Sequence, residues 1–429
     1  MNQSIKAILQ ETLQKNAEKY TRRLADLVAI DTHDIGHGID GGLEEKGQQY
    51  MRKLFEELGA DEIVSDPMEE AVIQQAIREH QEGNPGHNYD GRFNVYATFR
   101  GKEEGRSLLF NGHIDTMPVG DVALWDTDPH DPVIRDGRMS GLGVCDMKAG
   151  LMAATLAVEL LQDAGVALPG DVTITSVVDE EGGGNGSIQA AMRGVTADAA
   201  VVCEPTDYQM VAAHMGFIFF HVEVEGRAVH SASKWQGVSA IEKAWKLIKA
   251  IDELEHQWLL TYKHPLLPPP SSNVGVIQGG SAGSTIADYC SFKTCVHYLP
   301  EQMTHDQVVE TYTGAIYRRC EGDDWLREHK PTISIYQYGG AFEMDTKHAL
   351  VGSFEKAYTG AMDKPLPIIG SPAGCDARVW RNMANIPTIQ YGPGRQSECH
   401  VANEYIDLQQ YFDAMLIYAM LILDWGKSN

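Results

Sequence analysis

Apolar and polar residues follow two different rhythms along this chain. Ile5–Ile30 and Leu43–Leu58 carry apolar residues at helical spacing and predict two amphipathic helices, parted by the loop THDIGHGIDGG. The polar stretch from Glu79 to Arg92, EHQEGNPGHNYDGR, predicts a surface loop. Short, nearly continuous apolar runs follow at Asn94–Phe99, Ser107–His113, Asp171–Val178 and Ala199–Cys203, with a helical pattern over Met147–Ala164. Alternating strand and helix, with strands apolar on both faces, predict an α/β domain around a largely buried sheet.

From Phe217 the pattern changes. Phe217–Glu225 reads FIFFHVEVE, apolar at every second position, and Asn273–Gln278, Asp288–Leu299 and Thr332–Tyr338 read as further strands. Residues 238–256 and Thr304–Arg319 have helical periodicity. Half-exposed strands beside two helices predict a smaller α+β domain inserted into the first. The expected division is 1–215 with 335–429 for the larger domain and 216–334 for the insertion. No internal repeat interrupts this plan.

Composition narrows the function classes. Of 429 residues, 60 are acidic and 35 basic, a formal charge of −25, and 43% are hydrophobic. That is enough apolar material for a globular core, and the acidic excess disfavours nucleic acid and anionic membranes as partners. The longest apolar run, Ala414–Leu423, is too short to span a bilayer and predicts a buried or interface-forming helix. No signal peptide is visible, and the seven cysteines form neither a CxxC pair nor a disulfide framework. A cytoplasmic address is expected.

The chemistry lies where strands end. SLLFNGHIDT closes a buried strand with His113 and Asp115, and GLGVCDMKAG brings Asp146 to the start of a helix. SVVDEEGGGNG presents Asp179, Glu180 and Glu181, VVCEPT presents Glu204, and TIQYGPGRQSECH presents His400. In open α/β sheets, sites assemble at the carboxyl ends of strands. Imidazoles with carboxylates suit Zn²⁺, Mn²⁺ or Co²⁺. A two-metal centre needs one bridging carboxylate and about two further ligands per metal. Asp146 as the bridge, with His113, Glu181, Glu204 and His400, closes that count. Asp115 is left to orient His113 through its carboxylate, and Glu180 to act as general base. Cysteines 145, 203, 375 and 399 sit beside these positions and read as small packing residues.

These motifs, in this order, resemble the acetylornithine deacetylase/succinyl-diaminopimelate desuccinylase family, within the larger group of di-zinc peptidases. The likeness rests on Gly112–Gly120 (GHIDTMPVG), Gly141–Gly150 (GLGVCDMKAG), Asp179-Glu180-Glu181, Cys203-Glu204-Pro205-Thr206 and His400. It implies a zinc-peptidase catalytic domain with a central mixed sheet flanked by helices, plus an inserted α+β lid that mediates dimerisation. It also implies two zinc ions per subunit, which cobalt or manganese can replace. His113, Asp146 and Glu204 would hold one zinc, and Asp146, Glu181 and His400 the other. His230, in GRAVHSA, matches a histidine that reaches the partner's active site across a homodimer and stabilises the oxyanion. Arg378, in GCDAR, matches a late loop and is the expected fork for a substrate carboxylate, an ion pair with a neighbouring acid being the alternative.

Two departures bear on substrate. Where the family commonly has an Asp-x-Arg before Leu-Pro, this chain has Cys295-Val296-His297, and where a Gly-Gly loop usually leads to asparagine it offers Ser284 or Thr285. Dicarboxylate recognition is therefore not expected. The expected activity is metal-dependent removal of a small acyl group (acetyl, formyl or succinyl type) from an N-acyl amino acid or related amine. A dipeptidase or carboxypeptidase using the same site is the alternative.

Overall fold

The computed structural model describes residues 3–102 and 104–427. The chain separates into two compact units. One runs to Ala212 and takes in Met344–Ile369 and the chain from Cys375, and the other comprises Ala213–Glu343 and Gly370–Gly374. No helix among the described residues is long and apolar enough to cross a membrane.

The first unit is built on a mixed sheet. Its strands lie in the order Met210–His214, Thr388–Gln390, Ala200–Val202, Gly105–His113, Gly170–Val177, Phe93–Phe99 and Glu62–Pro67. The central strands Thr388–Gln390, Ala200–Val202, Gly105–His113 and Gly170–Val177 are mutually parallel, whereas Phe93–Phe99 runs antiparallel to both neighbours. The helix Ala149–Asp163 is buried from Ala149 to Leu161 because alanine, leucine and methionine occupy nearly all of its faces. Ala414–Leu423 lies inside the helix Leu408–Lys427 and is buried throughout. Parallel strands with a common direction deliver their carboxyl ends to one edge, so His113, Asp179 and Glu204 follow three neighbouring strands there.

The stretch from Glu79 to Arg92 departs from the surface loop expected of it. Its first residues finish the helix Glu70–His80, and Glu82, Asn84 and Arg92 are buried. Each has found a long-range polar partner: Glu82 pairs with Arg378, Asn84 donates to the Gly183 carbonyl, and Arg92 pairs with Asp34, Glu44 and Asp179.

The second unit is a four-stranded antiparallel sheet in the order Ser271–Gly279, Tyr289–Tyr298, Gly216–Glu225, Thr332–Gly339. Gly216–Glu225 alternates strictly in burial, and its inward Phe220 stacks on Tyr312 at 3.9 Å. The helices Ala240–Thr261 and His305–Glu321 contribute to the same core, and a reciprocal Thr304–Gln307 capping box starts the second. The edge strand Ser271–Gly279 leaves Val276 and Ile277 exposed.

Candidate metal centre

The predicted residues of the first unit converge as two overlapping groups. His113, Asp146 and Glu204 each offer one ligand atom within 4.8 Å of the others, and so do Asp146, Glu181 and His400. His113 Nε2 is 3.2 Å from Asp146 Oδ1 and 3.6 Å from Glu204 Oε1. His400 Nε2 is 3.2 Å from Asp146 Oδ2 and 3.0 Å from Glu181 Oε1. The two oxygens of Asp146 therefore address different groups, which is the arrangement a bridging carboxylate requires. Glycine 143, at φ 74°, turns the chain into this segment, and the Asp146–Met147 peptide is cis.

The donor set fits divalent cations. His113 Nδ1 lies 2.9 Å from the carbonyl oxygen of Asp115, which can only accept, so Nδ1 carries the proton. In the neutral ring Nε2 then holds a lone pair, and that lone pair faces two carboxylates. Such a juxtaposition is repulsive unless a cation lies between them or the ring is protonated. Without a metal it takes the second course: burial opposes charge on His113, but the bond to Asp146 and the nearby Asp115 and Glu204 outweigh it and raise its pKa. His400 is likewise pushed up to about 11, first by its bonds to Asp146 and Glu181. Metal binding would release those protons.

Asp115 does not orient the imidazole through its carboxylate. Its Oδ1 is 3.6 Å from Nδ1, its main-chain oxygen makes the bond, and its Oδ2 accepts from the Glu181 amide at 3.0 Å. Asp115 thus ties the strand of His113 to the loop carrying Glu180 and Glu181. Burial, followed by the charge of Asp376, holds Glu180 well above the usual carboxylate range, where a group can both take and return a proton.

Arg378 takes the alternative weighed for it, an ion pair with an acid, in place of the substrate fork. It is 2% exposed, with Nε bonded to Glu82 at 3.2 Å and its two terminal nitrogens 2.8 Å from the Cys375 and Gly183 carbonyls. Burial would make a free guanidinium too costly, and the chain's own acceptors have taken it. His230, Ser284 and His297 belong to the second unit. His230 is exposed, and its Nδ1 accepts from the Ala232 amide. Ser284 is exposed, and its carbonyl accepts from the Ser231 amide. His297 lies on the strand Tyr289–Tyr298, 3.4 Å from Cys295 Sγ, and burial lowers its pKa.

Sequence reasoning missed three supports. The carboxylate of Glu404 is 2% exposed and accepts from the amides of Gly143, Cys145 and Asp146 at 2.8, 2.6 and 3.0 Å, which shapes the loop that aims Asp146. Arg92 gathers Asp34, Glu44 and Asp179. His87 Nδ1 meets the other oxygen of Asp179 at 2.8 Å, and Asp179 itself has φ 62°. Spacing of Glu404 from His400 was the one available signal; nothing local marks Arg92. Beside Asp146, Glu181 and His400 opens a cavity of about 230 Å³, with Met117, Pro118, Leu124, Trp125 and Leu142 among its walls and no lysine or arginine.

A mixed α/β unit that gathers imidazoles and carboxylates at strand ends defines a metallohydrolase. The chain belongs to peptidase family M20/M25/M40, whose profile matches residues 109–424. It is 31% identical over 367 residues to the N-formyl-4-amino-5-aminomethyl-2-methylpyrimidine deformylase of Bacillus subtilis, covering 79% of this chain and 84% of that one. It is 28% identical over 329 residues to the acetylornithine deacetylase of Proteus mirabilis, covering 74% and 79%. A Staphylococcus aureus tripeptidase shares the fold at TM-score 0.74 and 20% identity, over 95% of this chain and 98% of that one. A dinuclear metal-binding M20 peptidase of Bacillus subtilis does so at TM-score 0.66 and 13% identity, over 97% and 100%. The protein is a metal-dependent amide hydrolase.

Proposed function

We propose that the chain is a di-zinc deacylase that removes a small acyl group, formyl or acetyl, from the nitrogen of a small amine. His113, Asp146 and Glu204 would hold one zinc, and Asp146, Glu181 and His400 the other, with cobalt or manganese able to substitute. The observation that carries this reading is the division of Asp146 between two ligand groups, beside a half-buried glutamate, Glu180, that belongs to neither. When bound, the cations supply Lewis acidity to the scissile carbonyl and lower the pKa of water. Glu180 takes the proton of the attacking water on its carboxylate and returns it to the departing amine. The cavity beside the ligands, walled by apolar side chains and acids, favours a small substrate without an anionic group on that side. The occupation of Arg378 by Glu82 points the same way. Both relatives named above act, by their names, on acylated amines.

The second unit is read as a lid and dimerisation domain of a cytoplasmic homodimer. A second copy would pair along the exposed edge strand Ser271–Gly279, and the partner subunit's His230 would stabilise the oxyanion. Mixing His230→Ala with Glu180→Ala subunits tests this, because heterodimers should recover activity that neither parent shows. The decisive test of the whole reading is turnover by the zinc-loaded protein on N-formyl, N-acetyl and N-succinyl amines beside dipeptides. Faster cleavage of dipeptides than of any acyl-amine would replace deacylation with the peptidase alternative.

A further inference from the structure

Two of the cysteines beside the ligands are more than packing. Cys145 and Cys399 are free thiols from distant parts of the chain, the first buried and the second half-buried. Their Sγ atoms lie 3.4 and 3.6 Å from one acceptor, the Arg395 carbonyl oxygen, which brings the two thiols together. The convergence is built. Glu404 fixes the Cys145 amide, and a Cβ on Gly394 would stand 2.5 Å from Cys145 Sγ, so only glycine leaves the sulfur its place. Each cysteine immediately precedes a residue assigned to the metal centre, Asp146 or His400.

We propose that Cys145 and Cys399 form a redox-sensitive pair that a peroxide converts to a disulfide, disabling the adjacent metal centre. Cys399, the more accessible, attacks one oxygen of hydrogen peroxide. The O–O bond breaks, an S–O bond forms, and the thiol proton leaves with the departing hydroxide as water. The Cys145 sulfur then attacks the sulfenic sulfur. The S–S bond forms as S–O breaks, and a second water carries off the Cys145 proton. Two thiols lose two electrons in all, and one peroxide becomes two waters. An S–S bond is ~2.05 Å long, shorter than either thiol's distance to the oxygen they share, so closing it draws the two backbone segments together. Those segments carry Asp146 and His400, whose geometry the shift would spoil.

Formation of the disulfide does not depend on the proposed function; its effect on turnover does. The test treats metal-loaded full-length protein with excess hydrogen peroxide, alkylates the remaining thiols and maps the digest without reduction. The expected result is a peptide pair linking Cys145 to Cys399 and cleaved by dithiothreitol, with an ~10-fold or greater fall in kcat/KM that dithiothreitol restores. Cys399→Ser and Cys145→Ser should keep their turnover through the same treatment. Recovery of the two cysteines separately alkylated from peroxide-treated wild type would overturn the disulfide. A linked peptide with undiminished turnover would overturn its action on the metal centre.

Discussion

The metal centre and the Arg92 cluster put similar amounts of acid under cover and end with opposite chemistry. In the cluster, Asp34, Glu44 and Asp179 are all fully buried around one guanidinium, with Arg92 2.6 Å from Asp34 and 3.1 Å from Asp179. Arginine is permanently charged and brings several fixed donors, so the knot closes upon itself. Burial and the neighbouring Asp115 push Asp34 up to about 11, which removes one of the negative charges that remain. In the metal centre Asp146, Glu181 and Glu204 meet two imidazoles instead. An imidazole can shed its proton and present a lone pair, so this cluster is complete only when a cation arrives. Asp179 and Glu181, two positions apart, fall on opposite sides of that divide. Buried acid alone therefore does not announce a site; the kind of base that accompanies it does.

Four substitutions probe this contrast. Glu180→Gln removes the proposed base and leaves every candidate ligand, so kcat of the zinc-loaded protein should fall ~1,000-fold with zinc content unchanged by elemental analysis. Near-normal turnover at full zinc occupancy would remove Glu180 from its role. Arg92→Leu should cost ~3–5 kcal/mol in urea unfolding, because Glu44 and Asp179 lose their cation in a dry environment. A loss below ~1 kcal/mol would mean the buried acids are simply protonated and the guanidinium is dispensable. Glu404→Gln retains shape but weakens the grip on three amides, so zinc affinity should fall ~10–100-fold with the unfolding midpoint nearly unmoved. Unaltered affinity would show that the loop aims Asp146 without it.

The smallest effect is expected in the second unit, where the charge arrangement is inverted. Asp323, 6% exposed, sits between Lys243 and Lys246 at 2.7 Å and caps the helix Asp324–Glu328. Burial alone would raise its pKa, but the bonds from Lys243 and Lys246 prevail and hold it below the usual carboxylate range. A depressed carboxylate contributes stability above its unfolded value, and that stability is lost as pH falls through the folded one. Asp323→Asn should thus cost ~1–2 kcal/mol at neutral pH and less at each step below about pH 4. A penalty independent of pH would assign the loss to the helix cap alone.

The fold was legible because its signals are local. Runs apolar on both faces marked the central strands, and the alternation of Phe217–Glu225 marked the half-exposed sheet of the other unit. The candidate ligands were visible because each follows such a run, where side chains collect at one edge of a parallel sheet. What stayed hidden depends on pairing across the chain. Arg92 and Glu82 stand in a polar stretch indistinguishable from solvated loop, and only their partners at 34, 44, 179 and 378 bury them. Arg378 was left between two readings for the same reason: a motif places an arginine but does not say which carboxylate reaches it first. Asp115 shows a finer limit, since alternation puts its side chain on the face of His113 while the main-chain oxygen makes the bond.

Glu404 holds the loop of Asp146 from the far side of the inserted unit, as Arg92 holds Asp179 to residues near the start of the chain. The working site is therefore an outcome of the finished topology and of no single segment. During synthesis the ribosome releases His113, Asp146, Glu180 and Glu204 long before His400 and Glu404. Under the proposed assignment, a nascent chain therefore lacks a complete site until His400 and Glu404 have emerged.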